Sequence, residues 1–240
     1  MEKRTIITGA SGEIGMAIAN QLANKGHALF LHYNQNRTAI EQLQEQIPSD
    51  QIIDVIQSDL STSEGLAQFI HQVPQQDIDQ LIYTSGKSYF GLFQDMEEQD
   101  MDEMLQLHVK SPWKIAQALI PDMIRNKFGR IILISSIWGE IGASCEVAYS
   151  TVKGAQNAFI RALAKELGPS NIFVNGVSPG FIDTKMNQAM TAQEKQELIQ
   201  DIPLQRAGKP EDVADAVQFL CSNQSKYIQG ELIRVNGAWG

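Results

Sequence analysis

Cysteine is scarce in this sequence, and its apolar stretches are short. The two cysteines, Cys145 and Cys221, stand far apart in the chain. Two isolated thiols supply neither a disulfide framework nor the ligand spacing of a zinc site, so we expect unpaired cysteines and no bound metal. The first apolar stretch is too short for a signal-peptide core, and no other could span a bilayer. We therefore expect a soluble, cytoplasmic protein that does not bind membranes.

Positive charge is also in short supply. The chain has 19 lysines and arginines against 28 aspartates and glutamates, which gives a formal net charge of −9. The basic residues form only short clusters, such as the one between Arg125 and Arg130. A phosphate backbone would find little to bind on such a surface. We therefore expect no nucleic acid partner.

Short apolar runs alternate along the chain with segments of helical periodicity. In the first such segment Ile14, Ile18 and Leu22 share one face, and Gly26 follows where a helix would end. The alternation predicts an α/β fold, namely one Rossmann domain over residues 1–240 with a doubly wound, seven-stranded parallel sheet and helices on both faces. The predicted strands are residues 5–8, 28–33, 52–56, 80–84, 130–135, 172–177 and 231–235.

A glycine-rich turn follows the first predicted strand. Gly9, Gly12 and Gly15 would let the backbone approach a pyrophosphate, which then lies at the N-terminus of the next helix. A purely structural turn is the alternative. Two longer connections, the segment before Tyr149 and residues 180–205, are where a binding loop or lid is expected.

The end of the second strand indicates which dinucleotide is bound. Residues 31–37 contain no carboxylate of the kind that binds the ribose of NAD, and Asn34 and Arg37 could contact a 2′-phosphate. This favours NADP(H) over NAD(H), unless Arg37 is simply solvated. Asp59 and Leu60 follow the third strand, where an adenine edge could lie, although Asp59 could instead be a helix N-cap.

Three residues suggest acid–base chemistry at the same edge of the sheet. Tyr149 and Lys153 are four residues apart on a predicted helix and so share one face, and Ser136 ends a strand upstream. Free tyrosine titrates near ~10, and a neighbouring ammonium group stabilises its phenolate. Tyr149 could therefore protonate the oxygen of a ketone during hydride transfer, while Ser136 binds the same oxygen.

These motifs resemble the short-chain dehydrogenase/reductase family, in the branch of the 3-oxoacyl-[acyl-carrier-protein] reductases. The resemblance covers nearly the whole chain and implies Ser136, Tyr149 and Lys153 as catalytic residues, with Lys153 also binding the nicotinamide ribose. It also implies a homotetramer built on a long helix over residues 99–125 and on the helix that carries Tyr149. The cofactor-binding residues implied are Gly9, Ser11, Gly12, Ile14, Gly15, Asn34, Arg37, Asp59, Leu60, Ser85, Gly86, Tyr149, Lys153, Pro179, Gly180, Ile182 and Thr184.

The chain departs from the family pattern at several positions. His108 replaces the usual Asn of the catalytic proton relay; it could hold a water through its backbone carbonyl, titrate near ~6.5, or merely pack. Glu13 replaces a glycine of the phosphate turn, and we expect its carboxylate to point outward. Ser85 and Gly86 follow a Tyr-Thr pair where the family usually has Asn-Asn-Ala-Gly.

The segment before Tyr149 bears on the substrate. It contains Trp138, Glu140 and Glu146, an unusual lining for a fatty acyl chain but a suitable one for an ammonium group. Solvated carboxylates are the alternative. Ser170 stands where the carrier-protein reductases often have an arginine that docks the acidic carrier.

The amino-acid sequence of these segments resembles a narrower subfamily, the elongation factor P 5-aminopentanone reductases of Firmicutes. Such enzymes reduce a ketone attached to a lysine of that translation factor, so the predicted substrate is a protein-attached aminopentanone. The first alternative is a 3-oxoacyl-[acyl-carrier-protein] reductase with acyl carrier protein as the partner. A second, from another class, is a dinucleotide-sensing protein without catalysis, against which the intact Ser, Tyr and Lys set argues.

Overall fold

A computed structural model describes residues 3–74, 77–187 and 190–240. Its centre is one sheet of seven parallel strands in the order β3-β2-β1-β4-β5-β6-β7. The predicted seven-stranded parallel sheet is confirmed, with strand ends shifted by no more than a few residues. The strands are β1 Lys3–Thr8, β2 His27–Tyr33, β3 Ile52–Gln57, β4 Gln80–Tyr83, β5 Gly129–Ile134, β6 Ile172–Pro179 and β7 Leu232–Val235.

Helices connect the strands and cover both faces of the sheet. The predicted helix over residues 99–125 consists of two α-helices joined by a π-helical turn, Gln106–Lys110, which contains His108. Wider turns of this kind often occur at functional sites. The α-helices are α1 Glu13–Ala23, α2 Arg37–Gln46, α3 Ser63–Gln72, α4 Glu98–Leu105, α5 Ser111–Asn126, α6 Trp138–Ile141, α7 Val147–Leu167, α8 Ala192–Asp201 and α9 Pro210–Cys221.

Two apolar cores lie on opposite faces of the sheet. One contains side chains of α3, α5 and α7, including Phe69 and Ile160. The other contains side chains of α1, α2 and α9, including Ile18 and Val217. Every residue of β2 is buried, as expected of a parallel strand covered on both sides. The fold is therefore the doubly wound Rossmann type.

The strand order determines where a ligand can bind. β1 lies between β2 and β4, so the connections after β1 and β4 leave the sheet in opposite directions and open a crevice at its carboxyl edge. Gly9, Ser85 and Ser136 follow β1, β4 and β5 at this edge, and Pro179 ends β6 there. Chain segments that are distant in sequence thus converge on one crevice.

In the part of the chain described, no helix combines the length and the apolar character needed to cross a membrane.

Candidate active site

Ser136, Tyr149 and Lys153 meet at the carboxyl edge of the sheet. Ser136 follows β5, and Tyr149 and Lys153 lie one turn apart in the first half of α7. The Ser136 hydroxyl lies close enough to Tyr149 to lower the pKa of its phenol, and Nζ of Lys153 lies 5.5 Å from the centroid of the Tyr149 ring. The structure therefore brings together the three residues that the sequence predicted to form a site.

The amine of Lys153 is buried, with only 4% of the residue exposed. Its Nζ donates to the backbone carbonyl of Ile134, at the end of β5, over 2.8 Å and to Oε1 of Gln156 over 3.3 Å. Burial lowers the pKa of Lys153 to about 7, because the charged form loses its hydration. The amine can therefore gain or lose a proton near neutral pH.

The pKa of Tyr149 shifts in the opposite direction to that of Lys153. Burial raises the pKa of its phenol, the negative charge of Glu146 raises it further, and the Ser136 hydroxyl lowers it. Sequence reasoning expected Lys153 to stabilise the phenolate, but burial dominates in this structure. Tyr149 therefore holds its proton at neutral pH, the state that a proton donor requires.

His108 is fully buried in the π-helical turn. Its Nε2 lies 2.9 Å from the backbone oxygen of Lys87, and its ring packs edge-on against Tyr149 with centroids 5.8 Å apart. Burial and then the charge of Lys153 lower the pKa of His108 well below its ordinary value. The hypothesis that His108 titrates near ~6.5 is therefore wrong, and the packing alternative describes its ring.

The backbone carbonyl of His108 already has a partner. It accepts a hydrogen bond from Nε2 of Gln156 over 2.8 Å. A carbonyl oxygen can accept a second bond, so the hypothesis that it holds a water stays a prediction. Gln156 was missed by sequence reasoning. The available signal was its spacing, since a glutamine three residues after Lys153 falls on the buried face of α7.

The turn after β1 requires two of its three glycines. Gly9 adopts φ 68, and a Cβ there would lie 2.9 Å from the backbone nitrogen of Ser85. A Cβ on Gly15 would lie 2.3 Å from the backbone oxygen of Gly9. Helix α1 begins at the N-cap Gly12 without a side-chain cap, so its first amides are available to an anion such as a pyrophosphate.

Further polar groups in the crevice suit a dinucleotide. The Ser85 hydroxyl is buried and has no hydrogen-bond partner in the described part of the chain, which fits a group that binds a ligand. Behind the turn, Nδ1 of His32 accepts from the amide of Gly9 over 3.1 Å. Burial lowers the pKa of His32 to about 4, so this ring stays neutral and able to accept. His32 is a second residue that sequence reasoning missed.

The far end of the crevice carries the residues predicted to bind adenosine. Asp59 accepts from the amide of Ser61 over 2.9 Å and from the Ser61 hydroxyl over 2.6 Å. Burial raises the pKa of its carboxyl, but Ser61 and Asn34 outweigh that effect and leave the pKa lowered. Thr62 is the N-cap of α3, so the alternative that Asp59 is the cap is wrong. Leu60 is buried in the core, which leaves its backbone as the part that could bind a base.

Arg37 lies in the first turn of α2 and is exposed. Its Nε donates to Oε1 of Glu41 over 2.9 Å, so its guanidinium is paired with a carboxylate of its own helix.

Residues after β6 close the crevice from the other side. Ile182 is buried and forms a bridge with Gly208, while a Cβ on Gly180 would lie 2.9 Å from Cα of Asn236. Thr184 is partly buried beside them. Residues 188 and 189 of the predicted loop lie outside the described residues.

Glu13 connects this segment to the glycine turn. Its Oε2 accepts from the backbone amide of Lys185 over 2.6 Å. Glu13 is partly exposed, and its carboxylate joins the start of α1 to the segment after β6 rather than extending freely into solvent.

Comparison with known proteins identifies the fold family. A family model described as enoyl-(acyl carrier protein) reductase matches residues 9–239. This chain belongs to the short-chain dehydrogenase/reductase family. It is 46% identical over 241 residues to an uncharacterized oxidoreductase of Bacillus subtilis, YmfI, covering 100% of this chain and 99% of that protein. It is 35% identical over 239 residues to the 3-oxoacyl-[acyl-carrier-protein] reductase of Aquifex aeolicus, covering 98% and 96%.

A solved structure resembles the whole chain. The NADPH-dependent reductase YwfH, involved in bacilysin biosynthesis, superposes with a TM-score of 0.88 at 25% identity over 99% of this chain and 98% of its own. The protein is therefore a short-chain dehydrogenase/reductase, an oxidoreductase that acts on carbonyl or hydroxyl groups with NAD(H) or NADP(H). In the described residues, no group of side chains could hold a metal ion.

In this member of the family, the two glutamates before Tyr149 differ in their surroundings. Glu140 accepts from Oγ of Ser178 over 2.8 Å and from Nη2 of Arg234 over 2.7 Å. Burial raises the pKa of its carboxyl, but the bonds from Arg234 and Ser178 outweigh that effect and leave the pKa lowered. Glu140 is therefore already paired with Arg234, so of the two glutamates suggested for a substrate ammonium the structure favours Glu146.

Glu146 is only partly exposed and has no cationic side chain paired with it in the described residues. Burial raises the pKa of its carboxyl, and a hydrogen bond from the Trp138 side chain offsets this only in part. Trp138 itself packs edge-on against Trp239, with centroids 5.0 Å apart. The loop thus presents one unpaired carboxylate beside Tyr149.

We propose Tyr149 as the proton donor of this reductase site. Replacing Tyr149 with Phe removes the proton and is expected to lower kcat for ketone reduction by about 10²- to 10⁴-fold. Dinucleotide binding, followed by nicotinamide fluorescence, should change little. Tyr227, which is fully exposed, supplies the control substitution Tyr227→Phe. A Tyr149→Phe enzyme that keeps more than about a tenth of the rate would contradict this role.

Proposed function

We propose that this oxidoreductase reduces, with NADPH, the ketone of a 5-aminopentanone group attached to a lysine of elongation factor P. The observation that supports this substrate is Glu146, a half-buried carboxylate without a cationic partner in the described residues, next to Tyr149. An aminopentanone presents a primary ammonium a few carbons from its carbonyl. Binding it would pair the Glu146 charge, whereas a neutral acyl chain would leave that charge desolvated and unpaired.

Tyr149, Ser136 and Lys153 each have a separate role in the proposed reaction. Tyr149 gives its proton to the carbonyl oxygen as negative charge develops there, and Ser136 donates a hydrogen bond to the same oxygen. The Lys153 ammonium lies beside the Tyr149 ring and stabilises the phenolate that remains. Ser85, Gly86 and the segment after β6 are the residues that would hold a nicotinamide, which would supply the hydride when bound.

A 3-oxoacyl-[acyl-carrier-protein] reductase is the second candidate. The likeness to the Aquifex aeolicus enzyme of that name favours it. It gives no use to Glu146, and the arginine that would help dock the acidic carrier is Ser170. The non-catalytic alternative leaves a buried, costly Lys153 amine without a purpose.

We also propose NADPH as the preferred cofactor, a homotetramer as the assembly, and the cytoplasm, where translation factors act, as the location. Arg37 and the absence of an acid in residues 31–37 support NADPH, as does the likeness to the NADPH-dependent YwfH. Trp113 on α5 is 46% exposed, and its ring packs near Phe159 of α7 with centroids 5.9 Å apart. These two helices are those that the family resemblance implies at a subunit interface.

The substrate is tested by following NADPH absorbance with purified protein and two substrates. One is aminopentanone-modified elongation factor P, and the other is an acetoacetyl thioester of acyl carrier protein. We expect oxidation of NADPH with the modified factor. Oxidation with the thioester alone would place the protein in fatty-acid synthesis, and NADPH binding without oxidation by either would revive the sensing role.

Glu146→Gln and Glu140→Gln form a matched pair on the same loop. We expect Glu146→Gln to lower kcat/KM for the aminopentanone about tenfold, because it removes the charge that meets the ammonium. Turnover of neutral ketones should not fall, because loss of the Glu146 charge lowers the pKa of Tyr149, the proposed proton donor. Glu140→Gln instead removes the ion pair with Arg234 and should lower thermal stability without changing the preference between the two substrates. Equal losses on both substrates for Glu146→Gln would contradict the proposed contact.

Arg37→Ala tests the dinucleotide preference. We expect KM for NADPH to rise by about 10- to 100-fold, since a charge-assisted hydrogen bond to the 2′-phosphate is lost. KM for NADH should change less than about twofold. Arg125→Ala is the control, because Arg125 also pairs with a carboxylate of its own helix, Asp122. A parallel rise in both KM values would show that Arg37 does not read the 2′-phosphate.

Trp113→Glu tests the assembly. A carboxylate in an apolar interface between copies costs free energy of desolvation, so we expect a mass smaller than the tetramer by light scattering after gel filtration. Tyr227→Glu places the same charge at another exposed aromatic residue and should leave the mass unchanged. A tetramer that survives Trp113→Glu would exclude this surface as the interface.

A further inference from the structure

Gln156 lies between the amine of Lys153 and the backbone of the π-helical turn, and only 1% of it is exposed. Its Oε1 accepts from Nζ of Lys153 over 3.3 Å, and its Nε2 donates to the carbonyl of His108 over 2.8 Å. An ammonium can only donate and a carbonyl can only accept, so the two partners fix the orientation of the amide. Gln156 therefore connects two elements of the active site through one rigid group.

Side chains of similar size cannot make both contacts. A glutamate would accept from Lys153 but would place a second oxygen against the carbonyl of His108. A methionine would leave both the ammonium and the carbonyl without this partner, and buried polar groups without partners are unfavourable. The combination of donor and acceptor at this point thus requires a side-chain amide.

We propose that Gln156 is a positioning residue of the reductase site, which holds the Lys153 ammonium beside Tyr149 and ties it to the π-helical turn. The proposal rests on the role of Lys153 in the proposed function. It does not depend on which ketone is reduced.

The contact reaches Tyr149 by two routes. Lys153 lies over the Tyr149 ring on one side, and the His108 ring packs against it on another. Gln156 binds the side chain of the first residue and the backbone of the second. Without the Gln156 side chain, the Lys153 amine would keep the carbonyl of Ile134 as an acceptor. The distance between the amine and the Tyr149 phenol would then depend on one hydrogen bond of the amine instead of two.

Several titratable groups lie around this contact. His108 and Tyr149 adjoin it, Lys87 lies against His108, and Glu146 acts on Tyr149. Each remains in place when residue 156 alone is changed. A change in the Lys153 titration in such variants therefore reports the lost or altered contact with residue 156.

The test measures the titration of Lys153 directly by NMR of protein labelled with ¹³C at lysine Cε, with the resonance assigned from its loss in Lys153→Met. The ligand-free wild-type amine should titrate near a pKa of about 7. Gln156→Glu supplies a negative charge and should raise this midpoint by about one unit or more. Gln156→Met removes an acceptor and should lower it.

Asn157→Leu is the matched control. Asn157 is the neighbouring buried amide on α7, but it bonds to Ser135 and Gly139 rather than to Lys153. Its loss should leave the Lys153 midpoint unchanged even if it lowers stability. A Gln156→Glu protein that folds, as judged by circular dichroism, and titrates at the wild-type midpoint would overturn the proposal. If Gln156→Met does not fold, the isosteric Gln156→Glu decides alone.

Kinetics supply a second readout on whichever ketone the wild type reduces. The fall of kcat/KM toward high pH, where Lys153 loses its proton, should move to higher pH in Gln156→Glu and to lower pH in Gln156→Met. If Gln156 had a purely structural role, its substitution would lower the rate without shifting the pH at which kcat/KM falls. Because the NMR titration uses no substrate, a wrong aminopentanone assignment would leave it unaffected, and the two failures can be told apart.

Discussion

The ammonium group of Lys153 is buried at the carboxyl edge of the sheet, and the other parts of the site are arranged around it. A fall in pKa from 10.5 to about 7 corresponds to roughly 5 kcal/mol of unfavourable desolvation. The folded pKa lies below the unfolded one, so the unfolded chain binds the extra proton between these values, and stability rises with pH across that range. The fold keeps this cation by giving it Ile134 and Gln156 as acceptors and the face of Tyr149 beside it.

The π-helical turn lies between α4 and α5, in the middle of the connection from β4 to β5, and it contributes His108 to the active site. In a straight α-helix the carbonyl of His108 would face residue 112, but Pro112 has no N–H to donate. That carbonyl accepts from Gln156, and the His108 ring of the wider turn packs against Tyr149. Since the ring is neutral at physiological pH, it contributes shape near the phenol without adding charge there.

Much of the fold and the catalytic set could be predicted, because both depend on short-range patterns. Strand and helix periodicity located all seven strands, and the spacing of Tyr149 and Lys153 on one helix face indicated their common site. The surroundings of the predicted residues could not be foreseen. Arg234 pairs with Glu140 across 94 residues of sequence, and Gln156 binds His108 across 48. No local sequence pattern could therefore predict either contact.

The loop between Ser136 and Tyr149 is anchored at two residues and carries one carboxylate, Glu146, that is not paired with a cationic side chain of the described residues. Glu140 is held by Arg234 of β7, and Trp138 by Trp239 near the C-terminus, so two points of the loop are anchored to the end of the chain. In the proposed reaction, this anchoring holds Glu146 beside the phenol when a substrate enters. A cationic ketone would pair with the carboxylate there, whereas a neutral ketone would leave it desolvated and unpaired.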